Sequence, residues 1–119
     1  LDLYSKKLIK TCAHITGGGI TDNLTRSLKS NVIAEIDLNK WFVPKIFKWI
    51  QSYGISQSEM LKTFNCGYGM LVVLDKANLK KFENLMKKYK LDYDTLGVLL
   101  NSNKSKKRIK FIGKLDFND

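Results

Sequence analysis

The chain has 119 residues, 44% of them hydrophobic, and a formal net charge of +10. That size and apolar content supply one modest core and exclude a disordered chain, while the longest apolar run, Met70 to Leu74, is far too short to cross a bilayer. The charge suggests an anionic partner, but 19 basic residues are Lys and only Arg26 and Arg108 offer a bidentate guanidinium, so a dedicated nucleic-acid surface is disfavoured.

The start, Leu1-Asp2-Leu3-Tyr4-Ser5-Lys6, is neither a secretory signal nor a transit peptide. It lacks an initiator Met, which suits a piece of a longer chain. Leu3 to Thr11 reads as a short helix or an extended lead-in. His14 to Gly19 reads as a loop, and Asp22 to Leu28 as a short helix with Thr21 as N-cap. Asn31 to Asp37 alternates loosely, as a strand does. The sole proline, Pro44, suits a first helical turn. Behind it Ile46, Phe47, Ile50 and Tyr53 follow helical spacing, and Gly54 supplies the stop. Ser56-Gln57-Ser58-Glu59 is a capping-box pattern that opens a helix through Met60 and Leu61.

Met70 to Leu74 is apolar on both faces and reads as a central strand. Asp75 can cap a helix from Lys76 to Tyr89, with Leu79, Phe82, Leu85, Met86 and Tyr89 along one side. Asp94 to Leu100 and Arg108 to Ile112 read as a strand pair around a polar loop, Asn101 to Lys107. The expected fold class is α/β (α+β), a layered domain with a mixed sheet flanked by helices, with residues 1–119 forming a single domain.

Two glycine-rich blocks carry the chemistry. One is Ala13-His14-Ile15-Thr16-Gly17-Gly18-Gly19; the other is Phe64-Asn65-Cys66-Gly67-Tyr68-Gly69-Met70. Three glycines in a row expose backbone N–H groups and admit a close ligand. A helix start behind such a turn favours a phosphate, through unpaired donors and the helix dipole. Thr16, Gly17, Gly18 and Gly19 are therefore candidate phosphate contacts. His14, the only histidine, is either a structural hydrogen-bonder or a proton donor to the ligand. Arg26 can grip a phosphate bidentately, with Asn23 one helical turn before it. Asn65, Gly67 and Gly69 either line the ligand with backbone or simply turn a helix into a strand. Trp41, Phe47 and Trp49 read as core or interdomain packing, and Glu59 as part of its cap. Cys12 and Cys66 have no CxxC and no His at ligand spacing, so they read as two reduced thiols in preference to one secretory disulfide, with no metal site.

Together these blocks resemble the C-terminal domain of the phosphoribosylformylglycinamidine cyclo-ligase family, the aminoimidazole ribonucleotide synthetases. The family pattern is A-H-x-T-G-G-G, then x-x-E/D-N-x-x-R, a W-x-x-P-x-x-F segment, and E-M-x-x-T-F-N-x-G-x-G-M. This chain shows Ala13 to Gly19, Asp22-Asn23 and Arg26. It continues with Trp41, Pro44, Phe47, Trp49, Ile50 and Gln51, then Glu59-Met60, Thr63-Phe64-Asn65 and Gly67-Tyr68-Gly69-Met70. The match runs in order from Cys12 to Leu74, and the tail from Lys104 to Asp119 departs from the pattern.

The resemblance implies an ATP-dependent ligase of de novo purine biosynthesis in the cytoplasm. ATP would phosphorylate the amide oxygen of formylglycinamidine ribonucleotide. The amidine nitrogen would then close the imidazole ring, with release of ADP and phosphate. The resemblance also implies ATP and Mg²⁺ held mainly by an N-terminal half that nothing here matches, a homodimer formed mainly through that half, and an isolated domain inactive alone. It carries over His14 as catalytic, and Thr16, Gly17, Gly18, Gly19, Asn23, Arg26, Asn65, Gly67 and Gly69 as phosphate or substrate contacts. Two alternatives stand beside it. One is another member of the same superfamily, such as a selenophosphate or thiamine-phosphate enzyme, against which the F-N-x-G-x-G-M block argues. The other is a noncatalytic basic module that binds nucleic acid through Lys76 to Lys90 and Lys104 to Lys110.

Overall fold

The computed structural model describes residues 8–101 and 108–118. The lead-in before Leu8 and residues 102–107 of the Lys-rich loop lie outside the described residues. In chain order the elements are β1 (Thr11–His14), α1 (Gly19–Ser27), β2 (Val32–Asp37), α2 (Lys45–Gln51), α3 (Gln57–Thr63), β3 (Met70–Val73), α4 (Leu79–Lys88), β4 (Gly97–Asn101) and β5 (Ile109–Ile112). Single 3₁₀ turns at Leu38–Lys40 and Lys76–Asn78 follow β2 and precede α4.

The strands form two sheets. β2 is the centre of a mixed sheet, antiparallel to β4 (Ala34 opposite Leu99) and parallel to β5 (Ala34 opposite Ile109). β1 and β3 form a separate antiparallel pair with His14 opposite Met70. The mixed sheet and flanking helices agree with the α/β expectation, but two strand assignments need correction. β4 and β5 do not pair with each other: β2 lies between them, because it is the strand whose Ala34 and Ile36 are buried in the core. β3 is not central among the described strands. Its two apolar faces report cover on both sides rather than two hydrogen-bonded neighbours. Leu71 packs on the main core, while Val72 and Leu74 pack under α4 against Leu8, Phe82, Leu85 and Met86.

Ile15, Ile20, Leu38, Met60 and Cys66 are the largest fully enclosed side chains of the main core. α1 belongs to it because Ile20, Asn23 and Leu24 recur at helical spacing on one face. Its cap is not Thr21: the helix begins earlier, with Gly18 as N-cap in the left-handed region at φ 93°. The Ser56 hydroxyl does cap α3, accepting from the Glu59 N–H at 3.2 Å, while the Glu59 carboxylate takes the Thr63 hydroxyl at 2.9 Å. Asp75 does not cap α4 with its side chain; it pairs with Lys10 at 3.0 Å on the surface.

The divergent tail packs back onto this core. The Leu115 N–H donates to the Gln57 side-chain oxygen at 2.7 Å, and Leu115 is buried beside the half-buried Phe117. Arg108 anchors the α1–β2 turn, donating to the Val32, Leu28 and Lys29 carbonyls. One of the two arginines is thus committed to structure rather than held out for a ligand.

Candidate functional site

The two glycine blocks meet. The pairing of His14 with Met70 puts the end of β1 beside the start of β3, and the Ile15 N–H extends the ladder to the Gly69 carbonyl at 2.8 Å. Along β1 side chains alternate: Ala13 and Ile15 are buried, while His14 and Thr16 are exposed on the opposite face. His14 therefore ends a strand instead of beginning a loop. Among the described residues its ring makes no hydrogen bond or ion pair, so it is available to a ligand.

The three glycines do different work. A Cβ on Gly19 would stand 2.0 Å from the Leu61 carbonyl oxygen, and its φ is +64°. This glycine lets α1 cross the end of α3 and is a packing requirement. A Cβ on Gly18, at φ +93°, would stand 2.6 Å from an Asp22 carboxylate oxygen. Gly17 meets nothing within 4 Å and is exposed. The Gly19 N–H closes the turn on the Thr16 carbonyl at 3.0 Å, whereas the Gly17 and Gly18 amides donate to no acceptor among the described residues. Open space and free donors thus coincide at Gly17.

Asn23 holds that turn from beneath. Its buried side-chain NH₂ donates to the carbonyls of Gly19 at 2.7 Å, Gly17 at 3.2 Å and Thr16 at 3.3 Å, and its oxygen lies 3.5 Å from the Thr16 hydroxyl. With both N–H groups committed to loop carbonyls, Asn23 shapes the loop. Arg26 is exposed and, among the described residues, unpaired. It lies in the last turn of α1, not the first, about 10 Å along the helix axis from Gly19 at 1.5 Å per residue. α1 does not bring it to the glycine turn. The residue that the sequence reading overlooked is Asp22. Its carboxylate stands over Gly18 in the first turn of α1, where it offsets the helix dipole and opposes a second anion at the helix end. An acid four residues after a helix-starting glycine was the available signal.

The second block is a rigid support. The Asn65 side chain accepts from the Gly67 N–H at 2.8 Å. Cys66 takes φ 51°, and Gly67, at φ +111°, lies so near Pro44 that a Cβ would meet its ring at 2.6 Å. Gly69 has room for a side chain and contributes its carbonyl to β1. The buried Trp41 indole N–H donates to the Cys66 carbonyl at 3.0 Å, and its ring packs edge-on against Tyr68 at 4.8 Å. The Tyr68 hydroxyl donates to Asp94 and accepts from the Phe42 N–H. Burial, then the Asp94 hydrogen bond, push its pKa up to about 12.

Cys66 is fully enclosed, with its Sγ 3.5 Å from the Met60 carbonyl. Burial pushes its thiol up to about 11, so it is no nucleophile at neutral pH. Both Cys12 and Cys66 are free thiols. Of the three aromatics assigned to packing, Trp41 is core and Phe47 is half-buried against it. Trp49 is not core: it is 59% exposed and packs edge-on with the exposed Tyr53.

Among the described residues no three His, Cys, Asp or Glu side chains converge as metal ligands. No helix there is long and apolar enough to cross a membrane.

Residues 1–110 match the family described as AIR synthase related protein, C-terminal domain. The chain is 45% identical over 87 residues to a phosphoribosylformylglycinamidine cyclo-ligase of Neisseria meningitidis serogroup C, covering 72% of this chain and 25% of the relative. It is 51% identical over 75 residues to the Neisseria gonorrhoeae protein of that name, covering 62% and 22%. With the one from Burkholderia cenocepacia it is 44% identical over 79 residues, covering 66% and 22%. The chain spans about a quarter of the length of these curated relatives.

Proposed function

From the premise that the chain belongs to the AIR synthase related family as a C-terminal domain, we propose that it forms part of the C-terminal half of a two-domain, ATP-dependent phosphoribosylformylglycinamidine cyclo-ligase. The overall reaction closes the imidazole ring of aminoimidazole ribonucleotide. A phosphoryl group passes from ATP to the amide oxygen of formylglycinamidine ribonucleotide, the amidine nitrogen attacks that carbon, and phosphate departs. On this reading the protein acts in purine biosynthesis, in the cytoplasm. ATP, Mg²⁺ and the homodimer contact belong mainly to the part of the enzyme beyond this chain.

This chain's contribution is the ribonucleotide wall of the site. The Gly17 and Gly18 amides and the Thr16 hydroxyl bind phosphate oxygens. His14, on the same exposed face as Thr16, donates a proton or a hydrogen bond to a phosphate or to the substrate amide oxygen. Asn23 fixes the loop so that those donors are aimed before the ligand arrives, and Asn65, Gly67 and Gly69 hold the neighbouring strand. Arg26 contributes long-range charge rather than a direct grip. The anion must displace the Asp22 carboxylate or approach from the Gly17 side. The observation that carries this reading is the Ile15–Gly69 hydrogen bond, which joins both motif blocks and leaves His14, Thr16 and Gly17 facing outward.

The test is reconstitution. This chain is mixed with the separately expressed remainder of a related cyclo-ligase, and ATP-dependent conversion of formylglycinamidine ribonucleotide is followed. Activity is expected only in the mixture. A stable complex that turns over no substrate would remove these residues from the reaction.

A further inference from the structure

We propose that the chain dimerises through the edge of β4 that is open among the described residues, pairing it antiparallel with β4 of a second copy about a two-fold axis at Leu99. β4 lies at the margin of the mixed sheet, with β2 as its neighbour among the described strands. All five of its residues are exposed, including Val98 at 56%, Leu99 at 38% and Leu100 at 45%. The hydrogen-bonding direction of each residue follows from the register. The Asp37 N–H donates to the Leu96 carbonyl at 2.8 Å, and the Ala34 N–H turns away from β4 to the Arg108 carbonyl at 3.0 Å. Ala34 and Leu99, which lie opposite each other, are therefore a non-hydrogen-bonded pair. Antiparallel ladders alternate, so the N–H and C=O of Leu99 point to the free edge, while those of Val98 and Leu100 point to β2.

A second copy fits this edge for three reasons. The outward-facing N–H and C=O of Leu99 meet their own equivalents about a two-fold axis, as an isologous interface requires. The sequence Gly97-Val98-Leu99-Leu100-Asn101 has no charge and no proline, in a chain of net charge +10. It thus lacks the devices by which edge strands repel their own kind. Pairing about Leu99 sets Val98 of one copy against Leu100 of the other, on a sheet face where Ile112 is also exposed. The free edge of β3 is also uncharged, but three of its four residues are half-buried. The two three-stranded sheets would become one of six strands. This contact lies within the present chain and is separate from any made by the rest of the enzyme.

The experiment is sedimentation equilibrium of the chain over a wide range of protein concentration. The mass is expected to rise toward twice that of one chain. Leu99→Pro removes only an outward N–H and leaves the β2 ladder intact; Leu99→Lys places two charges together at the axis. Each should abolish the rise while the circular dichroism spectrum is unchanged. Leu99→Cys in a Cys12→Ser background, which keeps the outward N–H, is a further readout. Hydrogen-bonded partners lie about 5.5 Å apart at Cα, within disulfide range, so oxidation should yield a covalent dimer. A chain that stays monomeric at all concentrations overturns the proposal. So does a dimer that survives Leu99→Lys, or one lost in Trp49→Lys but kept in Leu99→Pro, which would move the contact to α2.

Discussion

The Ile15 N–H donates to the Gly69 carbonyl at 2.8 Å and joins two segments that are remote in sequence. It extends the β1–β3 ladder, in which His14 lies opposite Met70, to the start of the glycine turn. With it, the turn sits on a strand braced by Trp41, whose indole holds the Cys66 carbonyl. The candidate site is thus a short exposed edge on a rigid base, an arrangement suited to holding donors in place before a ligand arrives.

The glycines should separate into structural and ligand-facing classes. Gly19→Ala drives a Cβ into the Leu61 carbonyl at a positive φ and should cost about 2–4 kcal/mol, in the range of severe backbone and packing conflicts. Gly17→Ala meets no neighbour and should leave stability within about 0.5 kcal/mol while weakening ligand binding. Urea unfolding of both variants, beside activity in the reconstituted enzyme, checks this. A Gly17→Ala enzyme with wild-type KM would remove the loop from the binding site.

Asn23→Ala removes the group that gathers three carbonyls. A loss of about 1–3 kcal/mol is expected from leaving buried acceptors unpaired. The amide resonances of Thr16 to Gly19 should broaden or shift even without ligand. Unchanged spectra in that segment would show that the turn holds itself.

Inorganic phosphate should perturb the Gly17 and Gly18 amides more than those of Gly67 and Tyr68, which are spent on the Asn65 side-chain oxygen and the Asn65 carbonyl. The response should be steeper when Asp22→Asn removes the competing carboxylate. In the reconstituted enzyme, His14→Ala should lower kcat by about 10²–10⁴-fold if His14 transfers a proton, and His14→Gln should recover only the binding share. A larger response from Asn65 and Gly67 would relocate the anion.

Alkali should destabilise the fold through Cys66. Its thiol ionises near 9.0 when unfolded and near 11 when buried. Between those values the native state keeps a proton that the unfolded chain has lost. Stability is therefore level below about pH 9 and falls as pH climbs toward 11, by at most about 1.4 kcal/mol per pH unit. Tyr68, raised for the same reason from 10.0 to about 12, extends the decline upward. Unfolding midpoints measured across this window should fall less steeply in Cys66→Ala. At neutral pH iodoacetamide should label the half-buried Cys12 and spare Cys66.

Local pattern made much of this legible. The Ser56 cap, the Pro44 entry and the stripe Phe82, Leu85, Met86 depend on neighbours within a turn or two, and the structure has all three. The candidate site was half legible. The segment holding His14, Thr16 and Gly17 was marked by its glycines, but the sequence did not show that Asn23 also braces the turn from beneath. Arg26 looked close to the turn, although α1 carries it away. Spacing along a helix says which face a residue shares and does not say what lies opposite that face.

The sequence by itself determined the helices, the glycine turn and the family, because each is written in contiguous residues whose backbone preferences and spacing act locally. The tertiary structure alone decided that β2 separates β4 from β5, that β3 has one strand partner among the described residues, and that Gly19 serves packing while Gly17 stays open. Those outcomes depend on which surfaces meet after the chain folds. An apolar or glycine residue reads the same in sequence whether its neighbour is a strand, a helix end or solvent.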